Sequence, residues 1–231
     1  ITTIQNGMAD IEHHMLHFLD NHDEQRLASP EFAGTPEKGK PLMVVSATIS
    51  TSPTMIYFGQ EVGEAGNENG GFGTHSRTSI FDYVGVPNHQ RWMNEGKFDG
   101  GQLSQSEKDL RDFYKRLLNF TLNSTALMGQ YQEIHGLNRY ATEGYFPEVY
   151  SYVRWSDTEK LIIIANFSSE HTSHFELKIP KDVIQKWNLK DGNYTITDQL
   201  YQKSSLQLQV INGEGKVQIT IAPSESFIYK L

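Results

Sequence analysis

A short polar cluster near the start of the chain combines side chains suited to acid–base and electrostatic chemistry. It consists of Asp20, Asn21, His22 and Asp23, and it follows directly on an apolar run at 15–19. A carboxylate such as Asp23 could stabilise a cationic transition state, and His22 could donate a hydrogen bond to a ligand hydroxyl. Asn and Asp also favour helix N-caps and turns, so the residue types alone leave a purely structural loop open.

Two other groups of residues have side chains that could form reactive sites. His13, His14 and His17 lie close in sequence, and a His pair four residues apart can hold zinc on a helix. No Glu follows His13 in the metalloprotease pattern, so an exposed polar patch is favoured and no metal ligand is assigned. Glu61 and Glu64 are further carboxylates, and we expect Glu61 to orient neighbouring groups by hydrogen bonding.

The elements that must position these residues are predicted to be a strand, a helix and a second strand. The apolar run 15–19 predicts a buried strand that delivers polar residues at its carboxyl end. Pro41 suits the first position of a helix, and the nearly continuous apolar run 42–49 predicts that helix to be buried. A second buried strand is predicted at 55–58, again ending in polar residues. This order is typical of a parallel α/β sheet, where function gathers beyond the carboxyl ends of the strands.

The rest of the chain changes character twice. Residues 62–103 contain no long periodic run, whereas Ser104 and Glu107 form a capping box that opens a helix to about residue 121. From about residue 130 the apolar period changes to two, which predicts an antiparallel sandwich. The predicted strands are 149–155, 160–167, 174–179, 194–200, 206–210, 216–221 and 226–231, with a short helix at 181–187.

Composition limits the classes of function. The chain has 231 residues, a net charge of -8 and no cysteine. An acidic surface argues against nucleic acid or an anionic membrane as partner and suits a neutral ligand. The missing cysteine removes disulfides and thiol chemistry but leaves the compartment open, with export slightly favoured. No segment of about 18 apolar residues exists, so no membrane span is expected. The first residues lack a signal-peptide pattern and an initiator Met, so a start within a longer protein is expected.

Three segments, in order, carry a resemblance to one enzyme family. Residues 18–23 resemble the fourth conserved region of the α-amylase superfamily, Phe-x-x-Asn-His-Asp at the end of the seventh barrel strand. Residues 52–61 are similar to the eighth-strand segment with its Pro…Tyr-x-Gly-x-Glu pattern. Residues 77–82 resemble the later loop that begins Arg-Thr-Pro, with Ser79 in place of Pro. The helix at 110–118 is similar to the last barrel helix of that family.

The resemblance implies a fold in two parts. Residues 1–124 would be the C-terminal portion of a TIM (β/α)8 barrel, its last strands and helices, and residues 125–231 an antiparallel β-sandwich. It also implies a retaining glycosidase or transglycosylase acting on starch or maltooligosaccharides. In that reading Asp23 is the transition-state stabiliser, while His22 and Arg26 bind substrate.

The family places its nucleophile and its general acid on earlier strands, and neither segment is present in this sequence. A closed (β/α)8 barrel takes about 250 residues, so a missing N-terminal barrel portion is expected as a partner, beside the α-glucan itself. The chain alone is expected to be inactive. No cofactor is expected in it, and the resemblance allows calcium to bind in the missing part.

Two other functions stay open from the sequence. The first is a non-catalytic carbohydrate-binding or accessory module in which the β-sandwich does the work. Tyr150, Tyr152 and Trp155 could form a sugar platform there, although such residues in a sandwich are more often packed in the core. The second is a self-contained glycosidase that uses Asp23 and Glu61 as its carboxylate pair.

Overall fold

The chain forms two compact units. The computed structural model describes residues 1–67, 76–78, 85–202 and 205–231. The larger unit comprises residues 1–14, 48–51 and 119–231, and the smaller unit comprises 15–47 and 52–118. Residues 79–82, the later part of the segment that resembles the Arg-Thr-Pro loop, lie outside the described residues.

Helices occur in both halves of the described sequence. The α-helices are α1 (Thr2–Gly7), α2 (Pro36–Thr48), α3 (Pro87–Met93), α4 (Gln105–Asn123), α5 (His135–Ala141) and α6 (Lys181–Lys186). Short 3₁₀ turns lie at Glu12–His14, Gln60–Val62, Asn94–Gly96 and Ala126–Met128. Within the described ranges, none of these helices has both the length and the apolar character needed to cross a bilayer.

The larger unit is built on an eight-stranded antiparallel sheet. Its strands are β1 (Gln130–Glu133), β2 (Val149–Trp155), β3 (Lys160–Asn166), β4 (Ser173–Ile179), β5 (Gly192–Asp198), β6 (Ser205–Ile211), β7 (Glu214–Ile221) and β8 (Ser226–Lys230). Neighbouring strands follow the order β1-β2-β3-β8-β5-β6-β7-β4. Strand β8 joins the two halves, because it pairs with β3 along Leu161–Ala165 and with β5 only at Thr197 and Asp198.

One hydrophobic core is shared by both halves of this sheet. It includes Val153 and Ile164 from one half, Leu177 and Val217 from the other, and Trp187 just after α6. The sheet therefore curls over its own apolar face, which makes the unit sandwich-like while its hydrogen bonding stays continuous through β8. Tyr150 and Tyr152 are buried, as expected for packed rather than ligand-facing aromatics.

The period-two pattern located every predicted strand to within two residues, and the helix predicted at 181–187 is α6. The short edge strand β1 was missed because Gln130–Glu133 reads QYQE, which lacks apolar alternation. Helix α5 was missed as well. Alternation of apolar and polar residues identifies strands that have one buried face. It does not identify a strand of mostly polar residues at the edge of a sheet.

Helix α4 begins where its capping box predicts. The backbone N–H of Ser104 donates to Oε2 of Glu107 at 2.7 Å, and the N–H of Glu107 donates to Oγ of Ser104 at 3.3 Å. These reciprocal bonds satisfy two donors that a helix start leaves open. The apolar face of α4 buries Leu110, Phe113 and Leu117 in the smaller unit.

The helix predicted to start at Pro41 starts earlier, and the prediction was wrong in this respect. Helix α2 begins at Pro36, and Pro41 lies inside it. The hydroxyl of Thr35 accepts a hydrogen bond from the N–H of Lys38 at 3.3 Å, so Thr35 acts as N-cap with Pro36 in the first helical position. A capping threonine followed by proline at the first helical position is a stronger signal for a helix start than Pro41 alone.

The buried strands predicted at 15–19 and 55–58 are not formed. The two segments meet in a single parallel bridge between His17 and Thr54. Met15, Leu16 and Phe18 keep 37%, 49% and 41% of their surfaces exposed. Parallel strands are stable when both faces are covered and the ladder continues on either side, and a lone pair of segments provides neither.

Candidate functional site

The polar cluster that follows residue 19 folds as a turn closed by the side chain of Asn21. Its Oδ1 accepts hydrogen bonds from the backbone N–H groups of Asp23 at 2.7 Å and Glu24 at 2.9 Å. Asn favours this arrangement because its short side chain mimics a backbone carbonyl. Asn21 therefore supports the loop, and no helix follows directly on the turn.

Asp23 stands exposed on this turn between two groups that can be cationic. Its Oδ2 lies 3.3 Å from Nε2 of His22, and its Oδ1 lies 3.7 Å from Nη2 of Arg77. The side chain of Asp23 keeps 71% of its surface exposed and that of His22 keeps 50%. Exposed ion pairs of this kind contribute little to stability. They matter here because they constrain the position of the Asp23 carboxylate.

Arg26 lies below the turn and is completely buried. Its Nη1 is 3.6 Å from Oδ2 of Asp20, and neither side chain has any exposed surface. Its Nη2 donates to the backbone carbonyl of Phe58 at 2.7 Å. The guanidinium also lies over two rings, 4.4 Å from the centre of Tyr57 and 5.2 Å from that of Phe58. Such a cation–π arrangement partly compensates a cation that has lost water.

The turn that carries Gln60 is fixed to the last helix of the smaller unit. Oε1 of Gln60 accepts from the backbone N–H of Tyr57 at 3.3 Å, and its Nε2 donates to the hydroxyl of Tyr114 at 3.1 Å. Gly59 has a φ of 84°, which a side chain rarely adopts. The side chain of Gln60 thereby links the backbone at Tyr57 to α4.

Burial dominates the electrostatics beneath the turn. Loss of water raises the pKa of Asp20, and the nearby charge of Arg26 opposes the rise. Loss of water also lowers the pKa of Arg26, against the opposing effect of Asp20. Each charge therefore depends on the other, because neither has solvent to stabilise it.

His22 and Asp23 lie together at the surface, whereas Arg26 is buried beneath them. Arg26 as a direct ligand of a substrate stays a prediction, and in this structure its guanidinium is covered. Sequence reasoning missed the pairing of Asp20 with Arg26 and the approach of Arg77 to Asp23. A signal for the first was present, since an acid and an arginine six residues apart flank a turn.

The remaining candidate carboxylates and imidazoles lie elsewhere. Glu64 is buried and accepts from the backbone N–H groups of Gly66 at 3.1 Å and Asn88 at 3.0 Å, so it serves the loop structure. His13 and His14 are exposed. Within the described part of the chain, no group of three or more His, Cys, Asp or Glu residues is arranged to hold a metal ion.

An exposed carboxylate on a fixed turn, beside an imidazole, can accept hydrogen bonds from a polyol and can stabilise positive charge that develops close by. Asp20, the other carboxylate of the cluster, is occupied by Arg26 and by the N–H of Leu27, which donates to it at 3.0 Å. The cluster therefore offers one available carboxylate. Retaining glycoside chemistry needs two, about 5–5.5 Å apart.

Comparison with known proteins places the fold. No protein-family model matches the sequence, and no curated protein matches it. A noncanonic maltogenic α-amylase, AmyB from Thermotoga neapolitana, matches with a TM-score of 0.60 and 14% identity, over 94% of this chain and 40% of its own. The α-amylase from H. orenii matches with a TM-score of 0.59 and 16% identity, over 99% of this chain and 43% of its own. The chain has the fold of the C-terminal part of α-amylases.

A variant of AmyP crystallised with maltotriose matches the same α-amylase-like fold, with a TM-score of 0.59 and 22% identity over 93% of this chain. This chain covers 40% of the AmyP chain. It therefore spans about two fifths of the length of these solved structures. At these identities the likeness establishes the fold shared with α-amylases, and the activity has to be argued from the site.

Proposed function

We propose that this chain is part of a retaining, α-amylase-like glycoside hydrolase that acts on starch or maltooligosaccharides. Asp23 is the carboxylate that stabilises the oxocarbenium-like transition state, and His22 donates to a hydroxyl of the same sugar. The observation that carries the proposal is the exposed Asp23 carboxylate, held on the Asn21 turn between His22 and Arg77. The α-amylase-like fold of the chain supports it.

The role proposed for Asp23 is electrostatic. In retaining hydrolysis a nucleophile attacks the anomeric carbon, an acid protonates the leaving oxygen, and positive charge builds up on the sugar ring. A fixed carboxylate next to that ring stabilises the charge without having to reorganise during the reaction. The adjacent His22 has imidazole nitrogens that can bind a sugar hydroxyl while Asp23 faces the sugar ring.

The proposal includes a further barrel portion that supplies the nucleophile and the acid. Two features support it: the lone parallel bridge between His17 and Thr54, and the exposed apolar side chains of Met15, Leu16 and Phe18. Both suit the edge of a parallel sheet that continues into other strands. In this proposal residues 1–124 are the C-terminal portion of a (β/α)8 barrel and residues 125–231 are its C-terminal sandwich.

Replacing Asp23 with Asn in the full-length protein tests the assignment. We expect kcat on maltooligosaccharides to fall by about 10²-fold or more, because the isosteric amide cannot stabilise positive charge. Glu24→Gln is the matched control, since it removes one exposed negative charge from the adjacent position of the same turn. An Asp23→Asn variant as active as the Glu24→Gln variant would remove Asp23 from the mechanism.

The same substrates test the need for a further barrel portion. Purified residues 1–231 are expected to show no hydrolysis of starch or maltooligosaccharides, whereas the full-length protein is active. Hydrolysis by the chain alone would contradict the proposal and would favour a self-contained pair of carboxylates, Asp23 with Glu61.

A binding role for the sandwich is the second candidate. A surface depression of about 500 Å³ lies against β4 and β7. Its polar side chains bond mainly to one another, as with His174 and Thr220 at 3.0 Å and Gln218 and Glu176 at 2.9 Å. Titration of the whole chain with maltotriose, followed by amide NMR shifts, separates the candidates. Shifts confined to these strands would support the accessory role.

A further inference from the structure

The loop that carries Asp23 is closed from beneath by Asp20 and Arg26. These two residues flank the turn, and Oδ2 of Asp20 accepts from the backbone N–H of Leu27 at 3.0 Å while facing Nη1 of Arg26 at 3.6 Å. Both ends of the loop are thus tied to one buried carboxylate. The five intervening residues, 21–25 with Asp23 among them, have little freedom to shift as a group.

The backbone of Arg26 is also tied to the segment that carries Arg77, the residue that meets Asp23 from the other side. Its backbone N–H donates to the carbonyl of Ser76 at 2.6 Å. The next residue, Arg77, places Nη2 3.7 Å from Oδ1 of Asp23. Ser76 itself packs closely against Gly66, where an added Cβ would lie 2.7 Å from the Ser76 carbonyl carbon. The backbone at residue 26 therefore ties the loop of Asp23 to the segment of Arg77, and the side chain of Arg26 ties the same loop to Asp20.

The guanidinium of Arg26 is fixed in turn by the segment that follows the parallel bridge. It donates to the carbonyl of Phe58 at 2.7 Å and lies over the rings of Tyr57 and Phe58. A planar guanidinium can meet a carboxylate, a carbonyl and a ring face at once, which a lysine ammonium cannot do. The Asp23 loop and the segment of Tyr57 and Phe58 therefore meet at this side chain, while the segment of Ser76 joins them at the backbone N–H of Arg26.

Stability alone does not account for such a pair. Taking both charges out of water has a large desolvation cost, and a well-packed apolar pair of similar volume is often as stable or more so. A buried ion pair does, however, fix one arrangement, because its charges have no alternative partners. This points to a role in placing the loop.

We propose that Arg26, paired with Asp20, is a positioning residue that sets the place of the Asp23 carboxylate and does not itself touch substrate. The inference rests on the proposed function of Asp23. The expected consequence of losing Arg26 is a displaced carboxylate, and a misplacement of about 1 Å can lower a rate by about 10²-fold. Substrate affinity is retained where it comes from other contacts.

Steady-state kinetics of the full-length protein on a maltooligosaccharide test this role. Arg26→Met keeps much of the side-chain volume and removes the charge. We expect kcat to fall by about 10- to 100-fold with KM within about threefold of the wild type. A ligand of the ground-state sugar would behave differently, with KM raised and kcat nearly kept. That result would overturn the positioning role.

Combining Arg26→Met with Asp23→Asn separates positioning from general damage. If Arg26 acts only through Asp23, the double variant has the same kcat as Asp23→Asn alone. A double variant at least tenfold slower than Asp23→Asn would show that Arg26 acts in another way.

Urea unfolding of each variant reports the folded fraction, to which the rates are normalised. Should Arg26→Met fail to fold, Arg26→Lys, which keeps the charge but loses the planar fork, enters the same comparison with the same expected outcome.

The two proposals fail in different ways. Full activity of Asp23→Asn would overturn both, because nothing would remain to be positioned. A slow Asp23→Asn variant together with an Arg26→Met variant of unchanged kcat would overturn the positioning role and leave the proposed function standing.

Discussion

Arg91 and Glu107 form a two-point ion pair between α3 and the first turn of α4. Nε of Arg91 donates to Oε1 of Glu107 at 3.0 Å, and Nη2 of Arg91 donates to the same oxygen. Oε2 of Glu107 accepts from the backbone N–H of Ser104. One carboxylate therefore serves both as helix cap and as the link to α3.

This pair predicts an acid-sensitive contribution to stability. Burial acts to raise the pKa of Glu107, but the hydrogen bonds from Arg91 and Ser104 outweigh it and hold the pKa below the usual 4.5. A lowered folded-state pKa stabilises the protein above about pH 4.5, and this stabilisation is lost as the pH falls through the folded value. We expect Glu107→Gln to lower the free energy of unfolding by about 1 kcal/mol at pH 7 and by less at pH 3.5.

Urea unfolding at the two pH values checks this. Gln can still complete the capping box, so the difference reports the charge rather than the cap. The exposed Glu31→Gln serves as control and is expected to leave the free energy nearly unchanged at both pH values. An equal loss for Glu107→Gln at pH 7 and pH 3.5 would contradict the prediction.

Arg154 is expected to be a large contributor to the stability of the larger unit. It is fully buried, and its guanidinium donates to the carbonyls of Ile49 at 2.6 Å and Leu127 at 2.5 Å, with longer contacts to Thr48 and Gly129. Arg154→Met leaves those buried carbonyls without a donor. We expect a loss of about 3 kcal/mol in the free energy of unfolding, with Arg154→Lys intermediate. A loss below about 1 kcal/mol for Arg154→Met would show that the carbonyls find other partners.

Gly144 is predicted to be required for its small size as well as its conformation. Gly144 and Gly213 have φ values of 77° and 75°. A Cβ at Gly144 would lie 2.1 Å from the carbonyl oxygen of His174, whereas one at Gly213 would meet nothing within 4 Å. Ala at Gly213 should cost about 1 kcal/mol from backbone strain, and Ala at Gly144 about 1–3 kcal/mol more. Thermal or urea unfolding of both variants measures the difference, and equal losses would rule out the clash.

Gln60 and Tyr114 are expected to be coupled. Nε2 of Gln60 donates to the buried Tyr114 hydroxyl at 3.1 Å. Burial raises the pKa of Tyr114, so the phenol stays protonated at neutral pH. Tyr114→Phe and Gln60→Met should each cost about 1–2 kcal/mol, and the double variant about 1 kcal/mol less than their sum. Strict additivity in a double-mutant cycle would show that the bond contributes nothing.

Elements with purely local signals were predictable from the sequence. The capping box of Ser104 and Glu107 opens α4 as expected, and the period-two strands of the larger unit occur where alternation placed them. The Asn21 turn belongs to the same class, because its hydrogen bonds reach only two and three residues along the chain. In each case the deciding contact lies within a few residues, so the types and their spacing are enough.

Elements whose stability depends on distant partners were not predictable. The run 15–19 is apolar enough for a buried strand, yet it forms a single bridge, between His17 and Thr54, and leaves Leu16 exposed. An apolar run shows that a segment is suited to burial. It does not show whether neighbouring elements are present to cover that segment. Pro41 shows a milder form of the same limit, since a stronger start signal at Thr35 placed it inside the helix.

The sequence by itself determined which residues can do chemistry here: a carboxylate at Asp23, an imidazole at His22 and the asparagine that turns the chain between Asp20 and Glu24. Only the tertiary structure decided which neighbouring side chains are exposed and which are buried and paired. Arg26 is covered because Phe58 and Ser76, 32 and 50 positions farther along the chain, fold against it. Solvent access and charge pairing depend on contacts between remote segments, and no local pattern encodes them.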